Sequence, residues 1–134
     1  MDPSLERFVW ERAGARCEYC RAPSAADRLK SHVDHVIAQQ HGGSTVASNL
    51  ALACYACNLH KGPNLSGRDR RSGRVVPLFN PRRNKWSRHF RWRGPVLVGR
   101  TAIGRATIST LAINQPHRVG LRETLIEYGE FPPG

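Results

Sequence analysis

Two four-residue stretches, CEYC at residues 17–20 and CYAC at residues 54–57, contain all four cysteines of the chain. Each has the C-x-x-C spacing with which a protein presents two thiolates to one zinc ion. Nothing in the sequence indicates secretion, so disulfide pairing is the weaker alternative. Because four thiolates fill the tetrahedral coordination of zinc, we predict a closed structural site that cannot activate water. The predicted ligands are Cys17, Cys20, Cys54 and Cys57.

The insert between the two cysteine pairs contains HVDHVIAQQHGG, residues 32–43. Its alternation of polar and apolar residues predicts a strand, which Gly42 and Gly43 end. Adjacent strand residues point to opposite sides, so Asp34 and His35 can serve one reaction centre only if the strand ends or bends beside them. After the glycines, Ser48 or Asn49 is a candidate N-cap for a helix that runs through the second cysteine pair to Gly62.

The order C-x-x-C, Asp-His, Gly-Gly, Asn-Leu, C-x-x-C-Asn, Lys-Gly resembles that of the HNH endonucleases with a ββα-metal core and a four-cysteine zinc frame. The resemblance is dense over residues 17–62. Two later segments, LFNPRRNKWSRHF and GRTAIGRATISTLAIN, are similar to those of short bacterial HNH proteins. The resemblance implies an α+β fold: a small nuclease core with its zinc site at 1–66, and a basic extension of a hairpin plus helices at 67–134, packed on the core. An N-terminal helix flanks the core.

The resemblance also implies a role for each residue of the motif. Asp34 and Asn58 would bind a catalytic divalent metal, His35 would be the general base, and Asn49 would tie down the loop and orient His35. The chemistry agrees, because carboxylate and amide oxygens suit Mg²⁺ or Mn²⁺ and a histidine near neutral pKa can accept the proton of water. Taken alone, Asp34 and His35 would be read as a surface carboxylate and a core imidazole.

Three further histidines have less defined roles. His32 could orient the metal site, contact substrate or serve structure only. His41 precedes the glycine pair and is expected as a loop or phosphate contact. His60 follows Asn58 by two positions, and we favour an exposed side chain over a third ligand there.

The charge of the chain is strongly uneven. Its formal net charge is +11, yet residues 35–122 carry fifteen Lys and Arg against one acid, Asp69. Such a tract favours a polyanionic partner, and nucleic acid is the first candidate because binding releases counterions from phosphates. A generally basic surface is the alternative. The predicted nucleic-acid contacts are Lys61, Arg68, Arg70, Arg71, Arg83, Lys85 and Arg88.

The rest of the chain predicts supporting structure. We expect an N-terminal helix ended by Gly14, a loop over residues 62–75, a hairpin around Gly94 and a helix capped by Thr101. A last helix would place Leu121, Leu125 and Tyr128 inward, and its arginines would widen the DNA track. The aromatic residues among the cations of RRNKWSRHFRWRG could stack on bases, but we expect them to form core.

These observations favour a Mg²⁺- or Mn²⁺-dependent endonuclease that cleaves duplex or branched DNA. The resemblance implies 5′-phosphate and 3′-hydroxyl products. A non-catalytic zinc module that binds nucleic acid and a ribonuclease are the two alternatives. The chain contains no apolar run long enough to span a bilayer and no signal peptide is evident, so a cytoplasmic location without membrane contact is the expectation.

Overall fold

The computed structural model describes residues 1–133, which combine helices with small sheets. The helices are α1 (Pro3–Ala13), α2 (Tyr55–Lys61), α3 (Trp86–His89), α4 (Ala102–Thr110) and α5 (Pro116–Glu127). The strands are β1 (His32–His35), β2 (Leu50–Ala53), β3 (Ser66–Arg68), β4 (Val75–Pro77), β5 (Phe90–Arg93) and β6 (Val96–Gly99). Consecutive strands pair into three antiparallel two-stranded sheets. The predicted α+β class is confirmed.

The first sheet and α2 form the ββα unit that carries the motif residues. β1 and β2 pair with Asp34 opposite Ala51 and His35 opposite Leu50. All four residues of β2 are buried, whereas β1 is partly open. The predicted helix cap at Ser48 or Asn49 is wrong, because the chain first runs through β2. Cys54 caps α2 instead, since its sulfur accepts a hydrogen bond from the backbone N–H of Cys57.

The N-terminal helix packs behind this unit. Asp2 caps α1 by accepting a hydrogen bond from the backbone N–H of Ser4, and Gly14 ends it in the left-handed conformation. Val9 is fully buried in a small cluster with Leu50 and Leu52 of β2. The predicted helix and its stop at Gly14 are therefore confirmed, and α1 supports the back of the first sheet.

The second half of the chain shares a core with the zinc frame. One buried cluster joins the four cysteines and Tyr19 to Phe79, Phe90 and Leu97. The rings of the second and third tryptophans, in α3 and β5, pack against the same cluster, as expected for core aromatic residues. The boundary proposed between residues 66 and 67 falls within β3, and the core runs across it.

Several expectations for the second half were met and others were wrong. The hairpin around Gly94 and the Thr101 cap of α4 are as predicted. The segment 62–75, predicted as a loop, contains β3 and the start of the β3–β4 hairpin. Tyr128 is exposed rather than inward. No helix of the described residues has the length and apolarity needed to cross a membrane.

Candidate metal sites and nucleic-acid surface

The four cysteines converge on one buried point. Their sulfur atoms all lie within 4.8 Å of one another, and the Sγ atoms of Cys20 and Cys54 are 3.8 Å apart. A tetrahedral zinc site with Zn–S bonds of about 2.3 Å has its sulfurs about 3.8 Å apart. Backbone N–H groups of Cys20 and Cys57 donate to the sulfurs of Cys17 and Cys54, both at 3.4 Å. The arrangement fits a closed structural site for one metal ion, and the four-thiolate donor set suits zinc.

A buried arginine from the last helix completes this site. Nη2 of Arg118 donates to the sulfur of Cys57 at 2.9 Å and lies 3.7 Å from that of Cys54. Its Nη1 donates to the carbonyl oxygens of Leu111 and Ala112. Burial lowers the pKa of Arg118, but the nearby thiolates more than offset this and raise it above its usual range. Arg118 therefore offsets part of the negative charge of the four thiolates.

The predicted arginine track is wrong at two positions of this helix. Arg118 and Arg122 are both buried, so neither can contact DNA. Arg122 donates to the carbonyl oxygens of Pro95 and Ile113, and thus holds α5 to the β5–β6 hairpin. Carbonyl and thiolate acceptors satisfy the two buried guanidinium groups and so make this burial favourable.

Asp34 lies at the floor of a shallow pocket of about 200 Å³ between β1, the loop after it and the end of α2. Its Oδ2 accepts a hydrogen bond of 2.8 Å from the hydroxyl of Tyr19. Nζ of Lys61 lies 3.1 Å from the same oxygen and 3.3 Å from Oδ1. Burial raises the pKa of Asp34, and the contacts with Lys61 and Tyr19 counter only part of that rise. The carboxylate is thus an incompletely stabilised charge at the pocket floor.

His35, the last residue of β1, lines the same pocket. The strand ends there, which resolves how two adjacent residues of opposite strand faces reach one site. The His35 ring is held by a 2.9 Å hydrogen bond between Nε2 and the Thr45 hydroxyl, which also accepts from Nε2 of Gln39 at 3.3 Å. In the described part of the chain, Nδ1 of His35 has no hydrogen-bond partner. One ring nitrogen is thus held and the other is open.

Asn49 closes the loop that follows His35. Its side chain accepts from the backbone N–H of Ile37 at 2.9 Å and donates to the carbonyl oxygens of Ile37 and Ser44 at 3.0 and 2.9 Å. Gly43 permits this closure, since a Cβ there would lie 1.7 Å from the Ile37 carbonyl oxygen. Asn49 acts on the loop backbone, and no hydrogen bond joins it to His35 among the described residues.

Asn58 lines the pocket from α2, together with Asp34 and His35 of β1. Its side-chain amide has no hydrogen-bond partner within residues 1–133, so its oxygen is available to a ligand. The three other histidines of the motif region lie elsewhere. His32 is exposed beside the ring of Tyr55, His41 is exposed on the loop, and His60 lines a different cavity behind the zinc site. None of the three lines the Asp34 pocket.

The predicted nucleic-acid contacts divide into one buried and six exposed residues. Lys61 is only 2% exposed, and its ammonium also donates to the carbonyl oxygen of His35 at 3.1 Å. A phosphate contact by Lys61 therefore does not fit this placement, because its charge already serves Asp34. The remaining six side chains are exposed: Arg68, Arg70, Arg71, Arg83, Lys85 and Arg88.

Comparison with known proteins identifies the class of the pocket region. Residues 17–64 match the family model of HNH endonucleases, so this part of the chain is similar to an HNH endonuclease domain. The match supports a nuclease-type function for this region. The chain is also similar to the Septu protein PtuB of Bacillus thuringiensis, with 25% identity over 126 residues. That alignment covers 92% of this chain but only 46% of PtuB, so the chain spans about half the length of this relative. No solved structure matches the chain.

Four residues of the sites were missed or misplaced by the sequence analysis. Tyr19 and Thr45 hold Asp34 and His35, but a single tyrosine or threonine gives no pattern of its own. Lys61 and Arg118 were assigned to the surface because of their charge. Their partners, Asp34 and Cys57, are 27 and 61 residues away in the chain and become neighbours only on folding.

Proposed function

We propose that the protein is a divalent-metal-dependent nuclease that hydrolyses DNA phosphodiester bonds. His35 is the general base, and Asp34 and Asn58 hold Mg²⁺ or Mn²⁺. The observation that supports this most is that all three side chains line one open pocket. Two hard oxygen donors in one solvent-open pocket suit an ion that keeps several of its waters.

His35, Thr45 and Asn49 are assigned distinct roles in the proton transfer. When bound, the metal ion supplies positive charge to the phosphate and to the departing 3′ oxygen. We assign the proton of neutral His35 to Nε2, which donates it to the Thr45 hydroxyl and fixes the ring. The lone pair of Nδ1 then accepts a proton from the attacking water. Asn49 keeps the loop from 37 to 44 closed through its hydrogen bonds to Ile37 and Ser44.

The exposed cations supply the surface for the phosphate backbone. Arg68, Arg70 and Arg71 lie on the β3–β4 hairpin, whose turn is built around the buried carboxylate of Asp69. Arg83, Lys85 and Arg88 lie on and before α3. Residues 35–122 contain one acid, Asp69, and it is buried. The six exposed cations therefore favour contacts with backbone phosphates over sequence-specific contacts with bases. We therefore expect strong salt dependence and weak sequence preference.

One observation favours a second candidate, a zinc-stabilised module that binds nucleic acid without cleaving it. Asp34 already has a cationic partner in Lys61, so a metal ion must compete with that ammonium. Such a module would keep the basic surface and the cysteine site but would bind no Mg²⁺ or Mn²⁺ at Asp34. Metal binding therefore separates the two candidates.

The central experiment is single-turnover cleavage of plasmid DNA and of RNA with Mg²⁺, Mn²⁺ or EDTA. We expect metal-dependent cleavage of DNA, and His35→Ala should lower the rate by a factor of about 10² to 10⁴, the usual weight of general acid–base catalysis. His41→Ala is the matched control, because it removes a histidine of the same loop region outside the pocket. Full activity of His35→Ala, or cleavage of RNA alone, would overturn the proposal.

A further inference from the structure

Tyr19 connects the cysteine site to the pocket. It lies between Cys17 and Cys20, and its backbone N–H donates to the sulfur of Cys17 at 3.4 Å. Its side chain is fully buried, and its hydroxyl donates to Oδ2 of Asp34 at 2.8 Å. Its carbonyl oxygen accepts a hydrogen bond of 2.9 Å from the indole N–H of Trp86. The residue is thus held by the cysteine pair at one end and contacts Asp34 at the other.

The neighbouring contacts leave the ring little freedom. Phe79 packs against it edge-on with ring centroids 6.4 Å apart. Glu18, the preceding residue, exchanges hydrogen bonds with the backbone of Leu52, by its own N–H at 2.8 Å and by its carboxylate at 2.8 Å. The first cysteine pair is therefore fastened to β2, and the Tyr19 hydroxyl is delivered to Asp34 by a rigid support rather than by a mobile loop.

The two partners of Asp34 differ in what a metal ion would do to them. Lys61 carries a positive charge, so its contact competes with a cation for the same carboxylate. The Tyr19 hydroxyl is neutral and can keep its hydrogen bond while another lone pair of the carboxylate binds the ion. Of the two, the Tyr19 hydrogen bond is therefore the contact compatible with a cation at the same carboxylate.

We propose that Tyr19 is a positioning residue: from within the first cysteine pair, its hydroxyl orients Asp34 towards the divalent ion, so that the structural metal site sets the geometry of the catalytic one. This inference rests on the proposed function, since it requires a metal ion at Asp34. Loss of such an outer hydrogen bond to a metal ligand costs about 10- to 100-fold in metal affinity.

Direct Mn²⁺ titration followed by electron paramagnetic resonance tests the proposal without relying on cleavage. Tyr19→Phe keeps the buried ring and removes only the hydroxyl, and we expect its affinity for Mn²⁺ to fall by about tenfold or more. Tyr55→Phe is the matched control, because Tyr55 occupies the second cysteine pair and its ring lies beside His32, outside the pocket. Both variants should keep wild-type zinc content. Cleavage by Tyr19→Phe should recover at high metal concentration.

The outcomes separate this inference from the function on which it rests. If the wild-type protein binds no Mn²⁺, both the proposed nuclease function and the positioning role of Tyr19 are refuted. If the wild type and Tyr19→Phe bind Mn²⁺ with equal affinity, only the positioning role of Tyr19 is refuted. Should Tyr19→Phe lose zinc or its fold, fluorotyrosine labelling of the wild type gives the second measurement. Mg²⁺ should then shift the fluorine resonance of Tyr19 and leave those of Tyr55 and Tyr128 in place, and an unmoved Tyr19 resonance would refute the proposal.

Discussion

Asp34 and Asp69 are both buried, and each is paired with a cation, yet the structure uses them differently. Asp69 accepts five hydrogen bonds: from the backbone N–H groups of Arg71 and Ser72, from the Ser72 hydroxyl, and two from Arg105. Within residues 1–133, Asp34 has only Tyr19 and Lys61 as partners. Hydrogen bonds from Arg105 and Ser72 place the pKa of Asp69 below its usual range, whereas burial raises that of Asp34.

The difference separates a carboxylate that builds structure from one that is available for chemistry. The lone pairs of Asp69 are used, and its charge is stabilised by the surrounding fold. The charge of Asp34 is under-stabilised and lies at the floor of an open pocket. A divalent cation would supply what Asp34 lacks and could add little to Asp69.

The largest expected contrast is in cleavage. Asp34→Asn should lower the single-turnover rate at a fixed low Mg²⁺ concentration by more than about 100-fold, since loss of a metal ligand should exceed the roughly 10- to 100-fold cost of losing an outer partner. Asp69→Asn should stay within a few-fold of the wild type, because Asp69 lies outside the pocket. A comparable loss of cleavage rate in both variants would show that the two carboxylates do not differ in function.

The second contrast is in stability without Mg²⁺. Lys61→Met leaves Asp34 buried without its cation and should lower the free energy of unfolding by about 3–5 kcal/mol. Adding Asp34→Asn should restore most of this loss, because replacing both members of a buried ion pair is often neutral. Denaturant unfolding of the zinc-loaded proteins measures both values.

The corresponding cycle at Asp69 should behave differently. Asp69→Asn should lower the melting temperature, and the added Arg105→Met should not restore it, because the amides of Arg71 and Ser72 still lack their carboxylate acceptor. Full restoration in this cycle would show that Asp69 serves only its ion pair.

Arg118 extends the comparison to an anionic site made of thiolates. Arg118→Met removes the 2.9 Å contact with Cys57 and should weaken zinc binding by about 10-fold or more, as expected for an outer partner of a metal ligand. Arg118→Lys keeps the charge and should lose less. Competition with a chelating dye measures the affinities, and unchanged zinc binding by Arg118→Met would show that the contact serves packing alone.

The smallest expected effect concerns DNA binding, and its sign is informative. Asp69→Asn makes the protein more positive by one charge, so simple attraction predicts tighter binding. If Asp69 instead orders the arginine-bearing turn, DNA binding without added Mg²⁺ or Mn²⁺ should weaken by a factor of about 2 to 10, the cost of immobilising one side chain. Ser72→Ala, which removes the 2.6 Å hydrogen bond without changing charge, should act in the same direction. Tighter binding by Asp69→Asn would refute this role.

Features of the fold whose sequence signals are local could be predicted from the sequence. Paired cysteines, the Gly14 stop, the turn at Gly94 and the Thr101 cap each act within a few residues, and all appear in the structure. The wrong helix cap has a physical reason: the apolar run Leu50–Ala53 is buried on all sides, and such a run has no periodicity that distinguishes strand from helix.

Charge misled the sequence analysis where folding supplies a distant acceptor. Lys61, Arg118 and Arg122 were placed on the DNA surface with the other cations, yet all three are buried. Their acceptors are a carboxylate, thiolates and backbone carbonyl oxygens brought from other elements. The prediction for Tyr128 was wrong in the opposite direction: its helical spacing suggested a buried side chain, but the side chain is exposed.

The contact of Arg118 with Cys57 also bears on how far the nuclease motif can be treated as an interchangeable part. A segment ending near residue 66 would contain every motif residue but would expose the thiolates and the face of Tyr19 that Phe79 covers. If that segment were moved into another protein, the host would have to supply side chains that cover the cysteine site and Tyr19. In this chain the motif and its extension share one buried core, so we expect insertions to be better tolerated at exposed turns such as Gly94 than at the boundary between them.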